Sequence, residues 1–186
     1  HQIVANMGTV IYMVPLSLSI ATMTLVSQSI GADQPERAEE IGWSSVFFTT
    51  GTCILIGVAV WFFRMQLLDL YDPPEAVRVF SIPLFLFIAF YQVFDALQVT
   101  AAFILRAYRI AFWPMVIYAG SLWGVGLGGG YLMGFNVLGF TPEFLQGANG
   151  FWAGNSISLG LAACLLLYLF RKTAERYEKT HPPVEV

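Results

Sequence analysis

The chain has 186 residues, of which 57% are hydrophobic and only 11% are charged, and its net charge is −3. A soluble domain carries about 25% charged residues, so this composition excludes a water-soluble globule and is typical of an integral membrane protein. The acidic balance lacks the basic footprint of a nucleic-acid-binding protein, and we expect no nucleic-acid partner.

Five long apolar segments follow one another along the chain. A helix that crosses the hydrocarbon core needs about 20 apolar residues, and each segment reaches that length. The sequence therefore predicts an all-α membrane protein with about five transmembrane helices, at residues 2–30, 41–63, 79–105, 110–135 and 148–170. Residues 173–186 are charged and predict a short helical tail outside the membrane.

The connections between these spans carry turn residues. Gly31 suits the position after a helix, and Pro35 suits the first turn of the next one. Asp72-Pro73-Pro74 separates the second and third spans, and residues 138–149 read as a surface loop. Because the chain begins with His1 and becomes apolar at once, we expect the natural protein to have further sequence before it.

The positions of lysine and arginine predict the orientation in the membrane, because these residues are concentrated on the cytoplasmic side. Seven lie near one set of span ends and two near the other. The arrangement predicts that the first and third loops and the tail are cytoplasmic, and that His1 is outside. The two sets are Arg37, Arg106, Arg109, Arg171, Lys172, Arg176 and Lys179, and Arg64 and Arg78.

Asp95 is the only acidic residue deep inside a predicted span. An ionised carboxylate in hydrocarbon costs several kcal/mol in order of magnitude, so such a group takes up a proton or holds a cation. Intramembrane acids usually belong to transport pathways. The alternative is a structural acid that is hydrogen-bonded to a neighbouring helix.

The helical neighbours of Asp95 extend this prediction. Tyr91, Asp95, Gln98 and Ala102 are spaced by four, three and four residues, which places them on one face of a helix. This polar face should point into a cavity lined by protein. Its oxygens suit a hard cation such as sodium, and they would serve a proton site equally well. Gln92, about 100° from Tyr91 around the helix, is a second candidate for the lining.

Other polar and small residues inside the spans have less specific roles. Asn6 is a candidate cavity residue, although a hydrogen bond to a neighbouring helix is the more common use of such a side chain. Overlapping GxxxG patterns in the fourth span predict close helix packing, with a sliding contact as the alternative. They are formed by Gly120, Gly124, Gly126, Gly128 and Gly130.

The sequence argues against an enzyme. An intramembrane aspartyl protease needs two acids, and only one lies within a span. The chain has no GxxxxGK[ST] phosphate-binding loop and no cysteine or histidine spacing that indicates a metal site. We therefore expect no catalytic residue and no cofactor other than a sodium ion or proton that moves with transport.

Five motifs carry a resemblance to a known transporter family. They are His1–Asn6, Met13–Ser17, Tyr91–Gln98, Leu105–Arg109 and Gly147–Gly154. In this order and at these separations the chain resembles NorM-type members of the multidrug and toxin extrusion (MATE) family. The likeness covers residues 1–172 and corresponds to the eighth to twelfth helices.

The resemblance implies the fold and function of a secondary active antiporter. Residues 1–172 would form most of the carboxy-terminal six-helix lobe of a twelve-helix protein in the bacterial inner membrane. That protein would export cationic or amphiphilic drugs in exchange for sodium ions or protons. The family would place the cation on Asp95 with Tyr91 beside it, and an acidic residue of the seventh helix would complete the site.

The same resemblance implies the partners of this segment. These are the amino-terminal lobe and seventh helix of the same polypeptide, membrane lipids and small cationic drugs. The chain departs from the family pattern at Ala107, where glycine is usual, and at Ile110, where a polar residue is usual. These differences concern the range of substrates and leave Asp95 in place.

Two other functions remain open at this point. A flippase for lipid-linked oligosaccharides belongs to the same wider fold group, but such proteins more often use basic cavity residues, and no lysine or arginine lies in the middle of a span. A membrane scaffold without transport activity would seal Tyr91, Asp95 and Gln98 into a helix contact.

Overall fold

All regular structure in the described part of the chain is helical, which confirms the predicted all-α class. The computed structural model describes residues 2–69, 75–137, 139, 141–142 and 146–180, with side chains from residue 6 onwards except 75–84, 86 and 87. The elements are α1 (Gln2–Gly31), α2 (Pro35–Phe62), α3 (Arg64–Asp69), α4 (Glu75–Ala107), α5 (Phe112–Gly120), a π-helical segment (Ser121–Gly128), α6 (Gly129–Gly134) and α7 (Ala148–Thr180).

Four of these helices, α1, α2, α4 and α7, are long and apolar enough to cross a membrane. The predicted fourth span is also helical over residues 112–134, but it is divided into α5, the π-helical segment and α6. We call residues 112–134 the segmented span. Among the described residues, four single long helices can therefore cross a membrane, and the segmented span is a further helical stretch between α4 and α7.

The helix boundaries differ from the predicted ones at several loops. α2 begins at Pro35, six residues before the predicted start at 41, because Pro35 occupies the first helical position. α1 includes Gly31, and the left-handed residue of the following turn is Asp33, with φ of 57°. α7 continues without a break to Thr180, so the predicted tail is an extension of the last span. Residues 70–74, which include the predicted proline turn, and residues 181–186 lie outside the described residues, as do parts of the predicted loop at 138–149.

α4 is the central helix of this bundle. Within its most apolar window, 61% of the residues are buried, compared with 22% in α1 and 28% in α2. It packs against α1, α2 and α7, and the segmented span packs against α7. A side chain in the middle of α4 is therefore surrounded by protein on three sides.

α1 runs parallel to α4 and approaches it closely. A Cβ atom on Gly8 would lie 2.8 Å from Cδ1 of Ile88, and the hydroxyl oxygens of Ser19 and Thr100 are 3.0 Å apart. Ser19 also donates a hydrogen bond of 2.7 Å to the carbonyl of Pro15. Since a hydroxyl has one hydrogen, Thr100 is the donor in the interhelical bond. Polar bonds of this kind join helices in lipid, where apolar burial alone gives little preference for helix contact.

α2 joins α4 on another side and exposes its remaining surface. A Cβ on Gly57 would lie 3.5 Å from the Ala89 Cβ, so the two helices pack backbone to backbone at this level. Large apolar side chains such as Phe47, Leu55 and Phe62 are 72% exposed on this helix. That surface suits contact with hydrocarbon rather than with water.

Three basic regions meet at one end of the bundle. Ala38, beside Arg37, and Ala107, beside Arg106, belong to one buried cluster. The rings of Tyr108 and Tyr177 are 5.6 Å apart, which brings the charged end of α7 to the same place. The sequence-based grouping of basic residues is therefore matched by their positions in space.

Close packing in the glycine-rich span comes from only part of the GxxxG pattern. A Cβ on Gly126 would lie 2.9 Å from Ser158 Oγ, and one on Gly130 would lie 3.0 Å from Phe151. Both contacts are with α7. Gly120 and Gly124 have no such neighbour within 4 Å, so they do not contribute to this contact.

We predict that Gly154→Ala destabilises the fold, because its new methyl group would lie 2.6 Å from the Gly130 backbone nitrogen and 3.0 Å from the Gly126 carbonyl oxygen. Overpacking of this kind costs about 1–3 kcal/mol. The melting temperature of the full-length protein in detergent should fall. Gly124→Ala is the matched control and should hold or raise the melting temperature, because it removes a helical glycine where space is free.

Candidate functional site

A cleft of about 720 Å³ opens beside the central helix. Its floor is α4, its sides are α1 and α5, and the start of α7 closes one end. It is lined by Gly8, Thr9, Tyr12, Leu16, Ile88, Tyr91, Asp95, Gln98, Val99, Ala102, Phe103, Arg106, Pro114, Met115, Tyr118, Trp152 and Asn155.

The structure brings the polar face predicted on α4 into this cleft. Tyr91, Asp95, Gln98 and Ala102 all line it. Asp95 is only 7% exposed and Gln98 only 8% exposed, so their polar atoms reach the cleft while most of each side chain is buried in protein. The carboxyl group therefore lies on the helix that packs against α1, α2 and α7.

The phenol of Tyr91 is positioned by an aromatic contact. Its ring meets the ring of Trp152 edge-on, with centroids 5.6 Å apart and an interplanar angle of 82°. This arrangement is favourable for two aromatic rings, and it joins α4 to the beginning of α7. The contact holds the Tyr91 ring in place, and the helical repeat puts Tyr91 one turn from Asp95.

The structure places the other two predicted lining residues away from the cleft surface. Gln92 is 2% exposed, and both polar atoms of its side chain are buried without a hydrogen-bond partner. It lies about 60° from Asp95 around α4, and its side chain is buried in protein and does not line the cleft. Asn6 is exposed and is not among the lining residues.

Several cleft residues were not anticipated from the sequence. Tyr12 and Tyr118 add phenols from α1 and α5, Asn155 adds an amide from α7, and Arg106 adds a positive charge at the far end of α4. The spacing of four between Gly8 and Tyr12 was a signal for a shared face of α1. No pattern within one helix could have shown that α5 and α7 contribute to the same cleft.

The oxygen atoms around Asp95 suit a monovalent cation or a proton. One carboxylate is accompanied by neutral phenol and amide groups from Tyr91 and Gln98. The part of the chain that the structure describes holds no cluster of three or more His, Cys, Asp or Glu side chains. Sites for divalent and transition metals usually collect several such ligands, whereas one carboxylate with neutral oxygens balances one positive charge.

A second groove, of about 690 Å³, lies between the segmented span and α7. Its lining includes Trp123, Phe151 and Leu127, and it shares Trp152 and Asn155 with the cleft. None of the described residues that line this groove is charged. The cleft at Asp95 is therefore the one of these two cavities that can bind an ion.

The fold and the cleft define a class of protein, namely a helical membrane protein with a nearly buried carboxyl group in a protein-lined cleft. The MatE family model matches residues 1–132. The chain belongs to this family, as the sequence motifs indicated.

Relatives in bacteria are similar over nearly the whole chain. A protein of Aromatoleum aromaticum named "Probable multidrug resistance protein NorM" is 38% identical over 176 residues, which is 95% of this chain and 38% of that protein. "Multidrug resistance protein PmpM" of Pseudomonas aeruginosa is 32% identical over 183 residues, covering 97% of this chain and 37% of that protein. The chain thus spans under two fifths of the length of these relatives.

A solved structure shares the fold. The eukaryotic MATE transporter AtDTX14 superposes with a TM-score of 0.80 at 18% sequence identity, over 96% of this chain and 40% of that chain. At this level of identity the likeness shows the fold alone. It agrees with the helical arrangement described above and with the family assignment.

We predict that a cysteine at position 98 reacts with a small water-soluble thiol reagent at least about tenfold faster than a cysteine at position 92, because reactivity follows access to water. The two variants, Gln98→Cys and Gln92→Cys, replace the same residue type on the same helix. They would be made in the full-length protein after replacement of Cys53 and Cys164, and labelling rates would be followed by mass spectrometry. Equal rates would contradict the placement of Gln98 in an open cleft.

Proposed function

We propose that this chain forms part of a multidrug efflux transporter that works by ion-coupled antiport. The single observation that carries the proposal is Asp95, a nearly buried carboxyl group that lines a cleft on the central membrane helix. The names of the bacterial relatives support export of drugs. A transporter of this kind is not an enzyme, and its only cofactor is the coupling ion, sodium or a proton.

The proposed mechanism begins with the coupling ion at Asp95. A sodium ion or proton neutralises the carboxylate, which removes the large cost of holding a charge at this depth. Tyr91 and Gln98 supply further oxygens from the same face of α4. The acid that the family provides on its seventh helix would complete the site.

Drug binding and ion binding are coupled because both depend on the carboxylate of Asp95. A cationic drug in the cleft gains from an ionised Asp95, and a bound sodium ion or proton removes that gain. When two ligands compete for one site, or favour different conformations, the binding of either one lowers the affinity for the other. Ion entry from outside therefore lowers drug affinity and drives drug release outward.

The proposed setting is the bacterial inner membrane. The three basic regions that meet at one end of the bundle would face the cytoplasm, together with the charged end of α7. The partners would be the amino-terminal lobe and seventh helix of the same polypeptide, surrounding lipids and small cationic drugs. The open side of the cleft, between α1 and α5, leaves room for such a covering segment.

The two alternatives are less well supported. A scaffold would seal the polar face of α4 into a helix contact, whereas Tyr91, Asp95 and Gln98 line an open cleft. A flippase that holds a pyrophosphate needs basic side chains in its cavity. Arg106, in the last turn of α4, is the only basic residue that lines the cleft among the described residues.

The first test replaces the coupling carboxyl. Asp95→Asn in the full-length protein keeps the size of the side chain but removes its charge and its proton site. We expect ion-driven drug efflux from proteoliposomes to fall at least about tenfold. Asp33→Asn is the control, because it removes a carboxylate outside the cleft at a position of positive φ that asparagine tolerates. Efflux at the normal rate in the Asp95 variant would refute the proposal.

A second test removes only the phenol oxygen beside Asp95. Tyr91→Phe retains the ring that contacts Trp152, so the packing should hold. We expect the concentration of sodium or protons for half-maximal efflux to rise about five- to tenfold, as for the loss of one ligand or hydrogen bond. Tyr168→Phe, an exposed tyrosine of α7, should leave this concentration unchanged.

A further inference from the structure

One exposed face of α7 changes from apolar to basic along the length of the helix. Four apolar or aromatic residues follow one another on it at spacings of four, four and three, and three basic residues continue at spacings of four, four and three. Residues at such spacings share one face of a helix. The first set is Ile157, Leu161, Leu165 and Tyr168, and the second set, which we call the basic stripe, is Lys172, Arg176 and Lys179; all seven are exposed.

The opposite face of α7 is packed on the rest of the bundle. Phe170 and Ala174 are buried, and Tyr177 is partly buried. Each residue of the basic stripe follows one of these three by two positions, which corresponds to a rotation of about 200°. Ile157 follows Asn155, which lines the cleft, by the same two positions. The exposed face therefore points away from both the bundle and the cleft.

The basic stripe begins where the apolar part of α7 ends. From Ala148 to Phe170 this helix carries no charge, and Arg171 is its first charged residue. At a rise of about 1.5 Å per residue, the three Cα atoms of the stripe lie about 3, 9 and 14 Å beyond Phe170. A head-group layer is about 5–8 Å thick, and charges act over about 8 Å beyond it at physiological salt. Since lysine and arginine side chains also bend back toward the membrane, all three charges can reach lipid phosphates.

Acidic residues of the same helix do not cancel this charge. Residues 171–180 carry four basic and two acidic side chains, which gives a net charge of +2. One of the acids, Glu175, accepts a bond of 3.0 Å from Arg171, and neither residue belongs to the basic stripe. The stripe thus keeps its positive charge on the side that faces outward.

We propose that this exposed face of α7 binds an anionic phospholipid, with the acyl chains along Ile157, Leu161 and Leu165 and the phosphate at the basic stripe. Tyr168 lies between the two parts, as aromatic residues commonly do at the boundary of membrane and water. Apolar surface holds chains without selecting a head group, so the selection comes from the basic stripe. An acidic protein would match the charges but would leave the apolar residues uncovered. The site goes beyond the proposed function, because it is separate from the cleft and needs no coupling ion.

The test measures the binding of phosphatidylglycerol and phosphatidylcholine to the full-length protein in detergent by native mass spectrometry. The stripe variant carries Lys172→Gln, Arg176→Gln and Lys179→Gln. A basic residue near an anionic lipid surface changes affinity about fivefold, so we expect the preference for phosphatidylglycerol to fall at least about tenfold. Affinity for phosphatidylcholine should stay within about twofold. In the unchanged protein, added salt should weaken the preference.

A matched variant separates the stripe from positive charge in general. Arg37→Gln, Arg109→Gln and Arg171→Gln together remove the same number of charges from exposed residues outside the stripe, and should keep most of the preference. A variant that exchanges lysine and arginine within the stripe should keep it as well, because the charges remain. Glycerol phosphate, which has an anionic group but no chains, should not displace phosphatidylglycerol.

Each outcome decides for or against the site. An unchanged preference in the stripe variant, an equal loss in the matched variant, or displacement of the lipid by glycerol phosphate overturns the inference. The preference is a ratio of two affinities within one variant, so a loss of folded protein cancels. Binding is measured without transport, so normal efflux by Asp95→Asn would refute the proposed function and leave this inference standing.

Discussion

The structure depends on enclosing one carboxyl group with protein on a helix that is long and apolar enough to cross a membrane. An ionised group in hydrocarbon costs several kcal/mol in order of magnitude unless protein or water surrounds it. Asp95 meets this condition because it lies on α4, the most buried of the long helices. α1, α2 and α7 cover three sides of α4, and the remaining side opens to the cleft that Asp95 lines.

Small residues and hydroxyl groups contribute to this central position of α4 together with buried apolar side chains such as Phe85 and Ile104. Gly8 and Gly57 let α1 and α2 approach α4, and the Ser19–Thr100 hydrogen bond joins two helices in their apolar interior. Apolar side chains on the outside, such as Phe47, face lipid and cannot select one helix partner over another. The same close packing that stabilises the bundle therefore also fixes the depth and direction of the cleft.

Much of the site on α4 could be predicted from the sequence, because the helical repeat alone places Tyr91, Asp95 and Gln98 on one face. The repeat could not settle the role of Gln92, which differs from Asp95 by only about 60° of rotation yet is buried behind the lining. That difference depends on how the neighbouring helices pack against α4. Contacts between helices decide such cases, and the pattern of one helix does not contain them.

The fold was predictable to a similar degree and for the same reason. Hydrophobic length gives the number of membrane passages, since a bilayer requires about 20 residues. It does not give the contribution of Asn155 and Tyr118 to the cleft, because these residues come from elements distant in sequence. It also gives no sign of the π-helical segment, where the backbone departs from the usual repeat without any proline.

The π-helical segment changes the direction in which side chains point at the two ends of the segmented span. Each π-helical turn holds more residues than an α-helical turn, so Ser121–Gly128 rotates the backbone relative to a continuous α-helix. Met115 and Tyr118 face the cleft before this stretch, and Gly130 meets α7 after it. Loss of a single residue within the stretch would turn one end against the other by about 100°. The length of this stretch is thus constrained by the need to keep Tyr118 at the cleft and Gly130 against α7.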